Sequence, residues 1–194
     1  MNIQAVLNDV YSQIVGEYGR IAPYFPSALV VGVIVGIIVL ILRLFHHKSI
    51  GVSFTTGLLA AYTFLVYERV LSSFRYYGIA KAIHPIPFET LYSLYKIVAF
   101  ILNIILLVPM GFLLPIVVYQ MRKVEMRWWH MALVAFIISL SIEATQYILS
   151  IGEAETDDVI SNTLGAVIGY LLITFFWNAV NKWRQKRRKP ENTR

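Results

Sequence analysis

Cysteine is absent from the 194-residue chain, which excludes disulfide frameworks, thiolate metal sites and cysteine nucleophiles together. Charge is scarce as well. Only 14% of residues are Asp, Glu, Lys or Arg, well below the roughly 25% of an ordinary soluble domain. The start of the chain has no basic segment running straight into an apolar core and a small-residue cleavage site, so it does not read as a secretory signal. What the chain has is apolar: 58% hydrophobic residues and a mean hydropathy of +0.65. Several of its unbroken apolar runs approach the ~20 residues needed to cross a bilayer. The composition predicts an all-α integral membrane protein built as one helical bundle, with no segment long enough for a separate soluble domain.

Residues 1–26 form the first segment. Ile3, Val6, Leu7, Val10, Ile14 and Val15 recur at helical period with polar residues between them, which predicts an amphipathic helix lying in the membrane interface. Pro23 and Pro26 are expected to break the chain after it. Residues 27–178 then hold the transmembrane bundle, with five spans expected near 28–45, 52–71, 97–119, 130–149 and 159–177. Gly32 and Gly36 make a small-xxx-small pair suited to close helix contact. Pro109, within Pro109-Met110-Gly111, should kink the third span and free a backbone carbonyl. Between the second and third spans, His84-Pro85-Ile86-Pro87-Phe88-Glu89 is tight punctuation that no helix interior accepts, and Tyr76, Tyr77, Tyr92 and Tyr95 suit the membrane interface. The adjacent His46 and His47 point about 100° apart on a helix with no carboxylate nearby in sequence, which argues against a metal site. Residues 179–194 form a basic tail. Beside a hydrophobic helix its run from Lys182 to Lys189 reads as a cytoplasmic anchor to anionic lipid, not a nucleic-acid contact.

Five spans put the termini on opposite sides. One side collects 12 Lys and Arg residues and the other 5, so the N-terminus is expected outside and the C-terminus in the cytoplasm. The polar residues then converge. Ser139, Glu143, Gln146 and Ser150 share one face of the fourth span; Asp158, Asn162, Gly165 and Gly169 share one face of the fifth. The acidic link Gly152-Glu153-Ala154-Glu155-Thr156-Asp157-Asp158 joins the two spans outside. Glu143 lies about 9 Å below the end of its helix, and Asn103 lies six residues into the third span from the same side. Lipid cannot satisfy such groups, so they must face one another or line something wet. The candidate site is therefore Glu143, Gln146, Asp158, Asn162, Asn103 and Glu155, with Asp158 also placed to cap its helix. Glu143 reads either as buried hydrogen-bonding glue or as a ligand or general-base carboxylate. The acidic spacing matches no EF-hand or zinc motif. Gly165 and Gly169 are expected to pack helices, and Pro87, Phe88, Pro109 and Gly111 to shape the backbone.

Residues 84–170 resemble the VanZ-like membrane proteins, a family named for a protein of glycopeptide resistance. The resemblance rests on Pro87-Phe88, on the stretch from Asn103 to Leu114, on Ser139, Glu143 and Gln146 at their spacing, and on the stretch from Ile151 to Gly165. Four pieces in order and spacing make it specific. The family's Pro-Phe-Gly is Pro109-Met110-Gly111 here, and Gly152 stands where many relatives carry arginine, so a mechanism requiring that arginine is not expected.

The resemblance implies an association with reduced susceptibility to teicoplanin, more than to vancomycin, through a mechanism not established. Teicoplanin carries an acyl chain that holds it near the bilayer, where an outward polar site could engage it or shield its target. The expected partners are membrane lipids and a lipoglycopeptide or lipid-linked cell-wall precursor, with homo-oligomerisation open and no cofactor. No nucleophile motif or phosphate-cradling loop is present, and the reading leans away from an enzyme. A membrane enzyme acting on a lipid-linked envelope precursor is one alternative. A small proton-coupled transporter or flippase gated by Glu143 is the other.

Overall fold

The computed structural model describes residues 3–44, 51–71, 82–88, 92–150 and 153–188. Among the described residues the chain is all-α apart from one two-residue ladder. Helix α1 spans Ile3–Ile21, passes through a 3-10 turn at Ala22–Tyr24, and continues as α2, Phe25–Leu44. Then come α3 (Gly51–Leu71), strand β1 (Ile83–His84), α4 (Leu94–Arg122), α5 (Trp128–Leu149), β2 (Ala154–Glu155) and α6 (Thr156–Arg188). The runs Gln4–Leu42, Leu94–Arg122, Trp128–Leu149 and Thr156–Arg187 are long and apolar enough to cross a bilayer. Helix α3 makes the fifth, its hydropathy diluted by hydroxyls, glycines and the Glu68-Arg69 pair.

One expectation needs correcting. Pro23 and Pro26 do not break the chain. Pro23 is the second residue of the 3-10 turn and Pro26 sits in the first turn of α2, where a missing N–H removes no helical bond. Ile21 and Phe25 keep right-handed helical angles, so the helix tightens and goes on. Helix α6 runs into the basic segment as far as Arg188, with the Arg187 guanidinium 3.8 Å above the Trp183 ring. His46, His47, Tyr76, Tyr77, Glu89, Gly152 and Lys189 lie outside the described residues.

Helix ends follow local chemistry. Ser93 Oγ accepts the Lys96 N–H at the start of α4, and Lys123 closes it in the left-handed region at φ 58°. The N–H of Arg127 donates to His130 Nδ1 at the start of α5, and Ser150 ends that helix at φ 56°. Helix α4 stays continuous through both Pro109 and Pro115.

Small residues decide which helices touch. Antiparallel α2 and α3 meet where a Cβ on Gly32 would come within 2.8 Å of both Ala61 and the Gly57 carbonyl. Helices α4 and α6 run parallel and approach backbone to backbone. A Cβ on Gly111 would strike the Ala166 carbonyl, one on Gly165 that of Ile104, and one on Gly169 that of Val108. The glycine hydrogens point at those oxygens, an approach only glycine permits. Helix α5 returns antiparallel against α6, while α3 lies on α4, its Tyr62 hydroxyl donating to the Leu106 carbonyl at 2.5 Å. Leu107, Met110, Met131, Ala135 and Ala166 are buried where α4, α5 and α6 meet. Ile101, Ile105, Phe136, Ile137, Leu140, Leu171 and Phe175 stay exposed on the outside, as lipid-facing surface requires.

Candidate functional site

The parallel α4–α6 pairing brings the starts of both helices to one end of the bundle, and α5 returns its C-terminus to the same end. The candidate polar residues collect there. Glu143 is 4% exposed, and its Oε2 accepts the Glu155 N–H at 3.1 Å. Asn162, also 4% exposed, donates from Nδ2 to Ser139 Oγ at 2.9 Å, and Ser139 in turn donates to the Asp158 carbonyl at 3.5 Å. Ser161 donates to that carbonyl too, at 3.1 Å. The Asp158 carboxylate takes a hydrogen bond from Asn103 and stands within electrostatic range of Glu143, Glu155, Lys96 and Arg69. Asn162 Oδ1 is buried with no hydrogen-bond partner.

Above this cluster, two connections are tied into a cover. Strands β1 and β2 pair in parallel, Ile83 opposite Ala154 and His84 opposite Glu155, and the Ala154 N–H donates to the Ala82 carbonyl at 3.0 Å. His84 Nε2 lies 3.5 Å from Glu153 Oε2. The Pro87-Phe88 turn bends with Phe88 at φ 65°, and the Phe88 N–H donates to Asp157 Oδ1 at 2.5 Å. Lys96, in the first turn of α4, is ion-paired and hydrogen-bonded to Glu155. A buried carboxylate holding a backbone N–H in a left-handed turn fixes that turn against the first turn of α6, because an orphaned donor is costly.

Five of the six candidate residues therefore share one connected neighbourhood. Gln146 is the exception: its backbone carbonyl accepts the Ser150 N–H at the end of α5, and its side chain is half-buried. Sequence reasoning missed Lys96, Asp157 and Arg69. Asp157, 3% exposed, makes the tie to the Phe88 turn. The signal for Lys96 was charge complementarity, since a base opening one span faces an acidic link from the same side.

Carboxylates outnumber bases here. Glu143, Glu153, Glu155, Asp157 and Asp158 face Lys96, Arg69 and His84, which favours a cationic group or a hydrogen-bond donor as visitor. Among the described residues, no group of three or more His, Asp or Glu is placed to hold a metal ion. A family model described as VanZ/LLP1 matches residues 33–177, extending the resemblance of 84–170 mainly toward the N-terminus. No curated protein and no solved structure matches the chain.

Proposed function

The chain belongs to the VanZ/LLP1 family, and from that premise we propose that it is a multi-pass protein of the bacterial cell envelope that lowers susceptibility to teicoplanin-type lipoglycopeptides. It acts through the acidic cluster under the β1–β2 cover, at the outer face of the membrane, without needing to catalyse a reaction. The supporting observation is where the polar groups lie. Four connected regions far apart in sequence place their carboxylates, amides and bases at one end of the bundle. Stability alone would be served as well or better by apolar packing there. The distribution of Lys and Arg supports an outer location for that end. An acyl-bearing antibiotic held near the bilayer would meet the cluster at headgroup depth, and Asn162 Oδ1 is an open acceptor beneath it.

The test is drug susceptibility in a sensitive Gram-positive host expressing the wild type, Glu143→Gln or Asp158→Asn, with membrane levels matched by blot. The proposal expects a rise in the teicoplanin inhibitory concentration, little change for vancomycin, and loss of the rise in both variants. No rise with well-expressed wild type would overturn it. A rise that survives both substitutions would remove the cluster from the explanation.

A further inference from the structure

A second site lies at the other end of the bundle. From Lys96 to Tyr119 along α4 is about 35 Å at 1.5 Å per residue, slightly more than the ~30 Å hydrocarbon core. The acidic cluster and this second site therefore belong to opposite membrane faces. Between α4 and α6 a cleft of about 210 Å³ opens, walled by Pro115, Ile116, Tyr119, Ile173 and Trp177. It is smaller than the roughly 300–1,000 Å³ of a small-molecule pocket and suits a segment of hydrocarbon chain.

Two of the polar groups around it are committed elsewhere. Gln120 Oε1 accepts from Thr55 at 2.7 Å, and the Tyr170 hydroxyl donates to the Met126 carbonyl at 2.8 Å. Tyr119 and Trp177 meet edge to face at 5.6 Å, and Trp177 keeps 49% of its surface exposed. What remains is an apolar slot with a polar mouth. Lys123 Nζ stands 5.6 Å over the Tyr119 ring, at the edge of the slot. Lys182 is one helical turn beyond Asn178, which also lines the cleft, and so shares its face. Arg122 and Arg127 flank the same mouth in sequence. Glu125 is the opposing charge at the rim.

We infer that this cleft is a binding site for an anionic glycerophospholipid. One acyl chain lies between Ile116, Ile173 and Trp177, and the phosphate is held by Lys123 and Lys182. Basic pockets between transmembrane helices at headgroup depth recognise anionic lipid by this combination of chain and charge. Glu125 weakens the site and sets an upper limit on its selectivity.

The measurement is fluorescence quenching of Trp177 as the sole tryptophan, with Trp128, Trp129 and Trp183 changed to Phe, in phosphatidylcholine bilayers. Phosphatidylglycerol brominated on its acyl chain is titrated in at low mole fraction, with brominated phosphatidylcholine as comparison. Quenching by the anionic lipid should saturate and exceed that by the zwitterionic one several-fold. The preference should fall about fivefold for each of Lys123→Gln and Lys182→Gln and rise in Glu125→Gln. Quenching proportional to mole fraction and equal for both lipids would leave only bulk annular contact and overturn the inference. So would a preference untouched by both lysine substitutions. Should the three-Phe variant fail to fold, native mass spectrometry of the unaltered chain keeps the question decidable. Retention of one phosphatidylglycerol in preference to phosphatidylcholine, lost in the double lysine variant, is expected, and equal retention would refute the site.

Discussion

Gly165→Ala measures how far the fold depends on the α4–α6 contact. An added Cβ would fall well inside van der Waals contact of the Ile104 carbonyl oxygen and 3.0 Å from its Cα. Both obstacles are backbone, so no side-chain rotation relieves them, and α6 must move off α4 by roughly 1 Å to restore normal separation. Overpacking of a fitted interface costs about 1–3 kcal/mol, and replacing a helical glycine with alanine returns up to about 1 kcal/mol. Gly111 and Gly169 hold the same two backbones together on either side, so local give is small and the net should lie near 2 kcal/mol. At about 2–4 °C per kcal/mol for a chain of this size, thermal unfolding in detergent should drop by roughly 4–8 °C. Gly16→Ala is the control, because a Cβ there meets nothing within 4 Å, and its Tm should hold or rise slightly. If the two alanine variants behaved alike, the close parallel packing of α4 and α6 would be wrong.

The cysteine-free background makes the cover directly testable: Ile83→Cys with Ala154→Cys should form a disulfide under mild oxidation, whereas Ile83→Cys with Thr156→Cys should not, since only the first pair is in register. Asp157→Ala leaves the Phe88 N–H without its carboxylate, which should cost about 1–3 kcal/mol and speed hydrogen exchange at that amide. Lys96→Met strands Glu155, whose side chain is 11% exposed, and should lower Tm. The pair Lys96→Met with Glu155→Met should recover much of the loss, because two apolar groups replace a partly buried ion pair, and a double-mutant cycle reads the coupling.

The spans were legible because lipid imposes length and hydropathy on every helix that crosses it. The polar stripes were legible because i, i+4 spacing fixes a helical face whatever lies opposite. What lies opposite was not. Ser139 and Glu143 announce a buried polar face, yet nothing in their spacing says that Asn162 and the Glu155 N–H will meet it. The β1–β2 ladder is two residues long and has no period to detect. Asp157 and Asp158 point about 100° apart. Since α6 begins at Thr156, earlier than the apolar run suggested, both acids enter its first turn, one toward the Phe88 turn and the other toward Asn103. Pro23 and Pro26 misled because proline's cost depends on its place in a turn, which composition does not reveal.

The packing and the site are one construction. Along α4 and the β2–α6 segment the facing pairs advance together from one end to the other: Lys96 with Glu155, Asn103 with Asp158, Ile104 with Gly165, Val108 with Gly169, Tyr119 with Trp177. Parallel helices can hold such a register only if they cannot slide, and three glycines seated against carbonyls on a facing backbone prevent sliding. A slip of one residue, about 1.5 Å, would drive a carbonyl into a Cα and at the same time draw Asp158 from Asn103 and Glu155 from Lys96. Substitution at Gly165 should therefore disturb the acidic cluster as well as stability, even though the glycine touches none of its carboxylates. Under the proposed function, Gly165→Ala should lose the teicoplanin phenotype at membrane levels where Gly16→Ala keeps it. A Gly165→Ala protein that is less stable yet fully protective would mean that the cluster tolerates displacement, and the geometry of its carboxylates would then not be what the function depends on.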